Sequence, residues 1–188
     1  TLTVNGGYSI SFGRKNSSGL DYSFTSGYNN INDGSYSFVH GYSNNIGLLS
    51  DNSVVFGHGN TVSASIVNST IIGYSCSTGA NAAVVIGYGS HANGSGSIIL
   101  GGNNTANNAS SFIVGDLTTV NADNATAIGK SITINSGNYS FAAGRNHVIN
   151  GTGYAFGSAD TVYASGGTVI GTSSSVNNSF AFGSFNRA

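Results

Sequence analysis

Along the whole chain, four-residue apolar runs end in glycine and return at a nearly constant interval, as in "SIILG", "SFIVG" and "ATAIG". Aligned on the closing glycine, the runs end at Gly13, Gly27, Gly41, Gly57, Gly73, Gly87, Gly101, Gly115, Gly129, Gly144, Gly157, Gly171 and Gly183. Seven of the twelve intervals are 14 residues and the others are 16, 16, 15, 13 and 12, so each repeat is one structural coil whose loops accept small insertions. Three residues before the glycine stand β-branched or aromatic side chains such as Ile10, Phe24, Phe38, Val54, Phe112 and Phe141. One before it the residues are again bulky (Phe12, Phe56, Ile72, Ile86, Leu100, Ile128), on the same side of a strand by its two-residue period. This side is expected to face the core. Four before the glycine, Ser dominates, a rank that has to be small. Five after it come Val62, Val120, Ile134, Ile149, Val162 and Val176, so a second short strand closes each coil.

Two short strands and two turns in 14 residues make too small a perimeter for a wide β-helix and fit a narrow two-sided β-roll, all-β, of about 13 stacked coils. The glycine is expected to supply a sharp turn at a backbone angle that a Cβ resists. Two before the glycine, Val39, Val55, Ile71, Val85, Ile99 and Ile113 make the other side of the strand apolar as well. A strand apolar on both sides must be covered on both. Val55, Ile71, Val85, Ile99 and Ile113 are therefore expected at an interface with sister chains, and a thin roll sheathed by copies of itself about an axis implies a homotrimer.

The pattern of a small residue, apolar, any, apolar, glycine, then about five residues to Val, Ile or Ala, as in "NSVVFGHGNTV" (52–62) and "NATAIGKSITI" (124–134), resembles the head repeats of trimeric autotransporter adhesins of the YadA type. The resemblance covers nearly all 188 residues. It implies a left-handed parallel β-roll, a single repeat domain over 1–188 that is a fragment of a longer fibre protein, and a trimeric head that attaches to cell-surface glycan or protein. The implied location is extracellular, on an outer-membrane-anchored fibre. Similar repeats occur in phage and phage-like tail fibres, so a structural or receptor-binding segment of a virion tail fibre is the alternative.

Composition narrows the chemistry. Only 6% of residues are charged, with a net charge of −1, which gives no clustered cations for nucleic acid or an anionic membrane, and no apolar run is long enough to insert in one. Cys76 is alone, so neither an intrachain disulfide framework nor a multi-cysteine metal site can form, and a buried or idle thiol is expected. Six Asp, no Glu and four His are scattered singly; no catalytic constellation, metal site or cofactor is expected, and the chain is read as non-enzymatic. The interval is too short for hexapeptide acyltransferase coils, and "GGNN" (101–104) lacks the Asp of calcium-binding repeats.

One rank has binding character. Immediately after the glycine come Tyr28, Tyr42, His58, Tyr74 and Tyr88 on five successive coils, either a platform for sugar rings and protein loops or a ladder that steadies the stack. Tyr8, Tyr22 and Tyr36, five before the glycine, carry the same two readings, while Asn three after it (Asn16, Asn30, Asn44, Asn60, Asn104) reads as a turn or ladder residue. The 16-residue coils place loops at 47–51 and 63–67, where Leu48 and Leu49 either recognise a partner or tuck against a neighbouring chain. An ice-binding solenoid is the least favoured reading, because Thr is not seen to line up on one rank.

Overall fold

The computed structural model describes residues 1–188 and contains only strands and turns. Each coil carries one long strand of five or six residues that includes the closing glycine and one short strand of two residues, about thirteen turns of a parallel β-solenoid with no helix. Chain contacts divide it into two compact units, Thr1–Gly96 and Ser97–Ala188. In both units the long strands pair with long strands and the short with short, always parallel and position for position: Val54–His58 pairs with Thr70–Tyr74, and Phe112–Asp116 with Thr126–Lys130, glycine beside glycine.

The interior is the opposite of the one expected from side-chain size. The rank two before the glycine points inward: Val39, Val55, Ile71 and Val85 in the first unit, and Ile99, Ile113, Ala127 and Ala142 in the second, are completely buried within the one chain. Facing them are the equally buried short-strand residues Ile46, Val62, Ala106, Val120, Ile134 and Ile149. The ranks three and one before the glycine, taken for the core, point outward; Phe56, Ile72, Ile86 and Ile128 are exposed and Phe112 is half-buried. The physical reason is thickness. Two sheets linked by tight turns leave a slot that admits Val, Ile or Ala but no ring, and the slot is kept evenly filled. Where the long-strand rank shrinks to Ala127 and Ala142, the facing rank grows to Ile134 and Ile149.

The closing glycine also has a different role from that of a turn. It lies inside the long strand on the inward side. Gly41 has φ +129°, and a Cβ there would lie 1.9 Å from the carbonyl oxygen of Gly57 in the following coil. The turns are made elsewhere. The second residue after every closing glycine adopts the left-handed conformation, among them Asn29, Ser43, Ser131 and Asn146, and most coils use a second left-handed residue five before the glycine.

Buried polar ladders run through these corners. Asn30 Nδ2 donates to Asn16 Oδ1 (3.1 Å), to Ser26 O (3.0 Å) and to Gly41 O (2.8 Å), while its Oδ1 accepts from the backbone and side-chain N–H of Asn44. Asn44 and Asn60 repeat the arrangement. Every donor and acceptor of a buried amide is thereby used, which is the condition for tolerating it in a core. Asn in this rank is a ladder residue, as the spacing implies. The small Ser rank forms a second ladder: Ser53 N–H donates to Ser37 Oγ (3.0 Å), and Ser37 Oγ donates to Ser50 O (3.2 Å).

Candidate binding faces of the two sheets

Because successive side chains of a strand alternate, the outward face of the long-strand sheet carries three ranks: three before, one before and one after the glycine. In the first unit these read Ile10, Phe12, Arg14; Phe24, Ser26, Tyr28; Phe38, His40, Tyr42; Val54, Phe56, His58; Thr70, Ile72, Tyr74; and Val84, Ile86, Tyr88. In-register pairing turns neighbouring rings into stacks. Phe24 and Phe38, register partners, lie 4.8 Å apart between ring centroids, and Phe38 reaches diagonally across ranks to Phe56 at 4.9 Å. Among the first two ranks only Ser26, His40 and Thr70 break the apolar surface, so the patch is contiguous and of the kind that soluble chains seldom leave uncovered. The second unit presents the same face with Ile98, Leu100, Phe112, Ile128, Phe156 and Ile170. Its third rank is polar there, with Lys130 Nζ 3.8 Å from Asp116 Oδ2 and Arg145 Nε donating to Ser158 Oγ (3.0 Å).

Val55, Ile71, Val85, Ile99 and Ile113, expected at an interface between chains, have no exposed surface with which to meet one. The side chains available for that contact are their immediate sequence neighbours on the outward ranks. The signal in the sequence was evenness of volume: the inward rank contains no aromatic or charged residue in any of its thirteen positions, whereas the outward ranks mix Phe, His, Ser and Tyr.

The five residues of the predicted file do share one rank. Tyr28, Tyr42, His58, Tyr74 and Tyr88 are register partners within the first unit and lie partly exposed, beside the apolar ranks. The ring faces of Tyr28 and Tyr42, however, are turned toward each other along the stack. Tyr28 and Tyr42 stack at 5.2 Å with 13° between planes; His58 meets Tyr42 at 4.7 Å and Tyr74 at 5.0 Å, edge to face. The Arg14 and Lys15 cations lie 5.9 and 5.6 Å from the Tyr28 ring centroid. The stacked Tyr28 and Tyr42 therefore offer ring edges and phenol hydroxyls outward. Tyr8, Tyr22 and Tyr36 form a second stack at 5.2 and 4.9 Å, and all three are left-handed corner residues, with φ of 58°, 55° and 54°. Contact between rings offsets a backbone conformation that Tyr otherwise disfavours.

The loop residues Leu48 and Leu49 are both 56% exposed. Three of the carboxylates serve the backbone: Asp21 Oδ1 accepts from Gly7 N–H (2.7 Å), Asp51 Oδ1 from Ser35 N–H (2.8 Å) and Asp123 Oδ1 from Ala109 N–H (2.9 Å). His147 and Asp160 replace Asn in the buried ladder of the second unit. The Asp160 N–H donates to His147 Nδ1 (3.3 Å), His147 Nε2 donates to Ala143 O (3.1 Å), and Asp160 Oδ2 lies 3.6 Å from Nδ1 with no hydrogen bond of its own. Cys76 occupies the same rank in the first unit, buried as expected, and burial pushes its thiol pKa up against the lowering effect of the Ser90 and Tyr74 backbone. No three His, Cys or Asp side chains are grouped as metal ligands would be, and no helix is long and apolar enough to cross a membrane.

The sheet of short strands offers the other broad face, and it is polar. In the second unit its outward positions align Thr105, Thr119, Thr133 and Thr161 on one rank, interrupted by Val148. The sequence-based expectation that Thr does not line up is thereby corrected; the alignment appears once positions are counted from the closing glycine, four residues on, rather than sought as Thr-x-Thr triplets. No protein-family model and no curated relative matches this chain.

Proposed function

We propose that the chain is a non-enzymatic adhesive or receptor-binding segment of a trimeric surface fibre that attaches to glycan or protein on a cell surface, outside the cell. The observation that carries this reading is the uncovered apolar face of the long-strand sheet. Phe24, Phe38, Phe56, Ile72 and Ile86 in the first unit, with Phe112, Ile128 and Phe156 in the second, make ranks that a single chain leaves in water. Copies of the same chain, arranged about a common axis, would cover one another's ranks by the same in-register stacking that each already makes internally. The resemblance to adhesin head repeats supports the same arrangement and the same use.

In this reading the Tyr28–Tyr42–His58–Tyr74–Tyr88 file borders the interface between chains, and its edge-on rings and hydroxyls are the contact offered to a partner at three places per fibre. Weak contacts in three copies sum to avidity on a polyvalent surface. The test has two stages. Light scattering at micromolar concentration is expected to give three times the chain mass; a stable single chain would refute the assembly. Glycan-array and whole-cell binding of the trimer is then expected to be lost in Tyr42→Ser/Tyr74→Ser while the trimer is kept. A trimer that binds no surface in either form is instead a spacer segment of a tail fibre.

A further inference from the structure

We infer that the outward face of the short-strand sheet in the second unit is an ice-binding surface, a function separate from attachment through the opposite sheet. The face is built from two adjacent ranks. The first residue of each short strand gives Thr105, Thr119, Thr133, Val148, Thr161 and Ser175, paired position for position. Two residues further on, pointing to the same side by strand alternation, come Asn107, Asn121, Asn135 and Asn150, with the exposed ring of Tyr163 ending the run, and the ladder of backbone hydrogen bonds keeps them in step: Asn107 N–H donates to Val120 O, Asn121 N–H to Ile134 O and Asn135 N–H to Ile149 O.

Three observations bear on this array. The first is order. Asn107 Nδ2 donates to Asn121 Oδ1 at 2.7 Å and Asn135 Nδ2 to Asn150 Oδ1 at 2.8 Å, so the amides are fixed along their rank instead of turning freely in solvent. The second is spacing. Parallel strands repeat at about 4.8 Å and alternate residues along a strand at about 6.7 Å, which makes a rectangular net of hydroxyls, methyls and amides close to the oxygen repeats on a prism face of hexagonal ice. From Thr105 to Tyr163 neither rank carries a charge that would hold water in an incompatible shell. Thr supplies a methyl, around which water forms a cage, beside a hydroxyl that anchors the cage.

The third observation is an internal comparison. The same strand position in the first unit is filled by Thr3, Ser17, Ile31, Asn45, Thr61, Ser77 and His91, also paired in register. The coil therefore folds without Thr there, so the fold does not require the Thr rank of the second unit. The neighbouring rank of the first unit is equally irregular, with Asn5, Gly19, Asp33, Gly47, Ser63, Gly79 and Asn93.

The ligand is crystalline water, and the probe is ice itself. The fluorescently labelled full chain is expected to be taken up into a slowly grown ice hemisphere and to produce thermal hysteresis with faceted crystals. Thr119→Tyr, which plants a ring in the centre of the net, is expected to abolish both while leaving the circular dichroism spectrum and melting curve unchanged. The matched change Thr61→Tyr in the first unit is expected to leave both intact. Should Thr119→Tyr fail to fold, Thr133→Lys on another coil takes its place. Exclusion of the parent chain from ice overturns the inference, as does retention of activity in Thr119→Tyr or equal loss in both variants.

Discussion

Replacing Ile113 by Ala tests the inward assignment of its rank most directly. Ile113 is fully buried, with Ile99 beside it in the preceding strand and Ala127 in the following one. Removing three carbons forfeits about 2.4 kcal/mol of transfer free energy at about 0.8 kcal/mol per buried methylene. The remaining void, at most about 80 Å³, adds up to about 1.9 kcal/mol at about 24 cal/mol per Å³. Collapse is resisted because both strands beside it are pinned by their own backbone ladders. The expected loss is about 2.4 to 4.3 kcal/mol per chain, or a fall in melting temperature of roughly 5 to 17 °C for a chain of this size. The companion is Phe112→Ala, one residue away and facing outward. At a dilution where light scattering gives the mass of one chain, it is expected to cost about 1 kcal/mol or less, and at higher concentration to shift the assembly equilibrium instead. The assay is thermal unfolding followed by circular dichroism at both concentrations. If Phe112→Ala destabilises the single chain as much as Ile113→Ala does, the facing of the two ranks is wrong.

Asn44→Leu removes the donor to Gly57 O and the acceptor for Asn60 inside the ladder, and at about 1–3 kcal/mol for each stranded group it is expected to lower the melting temperature about as much as Ile113→Ala. The double change His147→Asn/Asp160→Asn rebuilds the amide ladder and gives the position of Asp160 Oδ2 a partner, so a stabilisation of about 1–3 kcal/mol is expected in the same assay; destabilisation would mean the pair is better accommodated than its hydrogen bonds imply. Burial raises the Cys76 pKa above its ordinary value of 9.0, so the folded chain favours the neutral thiol. That contribution is whole below pH 9.0 and is lost as pH rises through the folded value. Thiol alkylation at neutral pH is expected only on unfolding, and Cys76→Ser is expected to flatten part of the alkaline fall in melting temperature.

The coil, its interval and its two strands were legible because a period of 14 residues repeated across the chain leaves little freedom in the alignment. Which side of the strand is inside was not, because alternation defines two sides without saying which is covered. Bulk misled: Phe38 and Phe56 are larger than Val39 and Val55, yet a slot between two tightly turned sheets excludes rings. The tyrosine file was legible as a rank but not as a stack, since register alone does not give the tilt of Tyr42 against Tyr28 or the edge-on approach of His58. The Thr rank at 105, 119, 133 and 161 was fully present in the sequence and concealed by the changing length of the coils and by its irregular counterpart in the first unit.

Position-for-position pairing of each coil with the next has a kinetic consequence. Contacts such as Asn30 with Asn16 or Thr133 with Thr119 join residues 14 apart in a chain of 188, a relative contact order of about 0.07, which is the range of small helical bundles rather than of β-sandwiches. Once one pair of coils has closed, each added coil needs only its predecessor as a template. The chain can therefore fold vectorially, winding up turn by turn as it emerges from a ribosome or a pore. The most recently wound strand is then the growing edge, ready to capture the next 14 residues before they meet anything else.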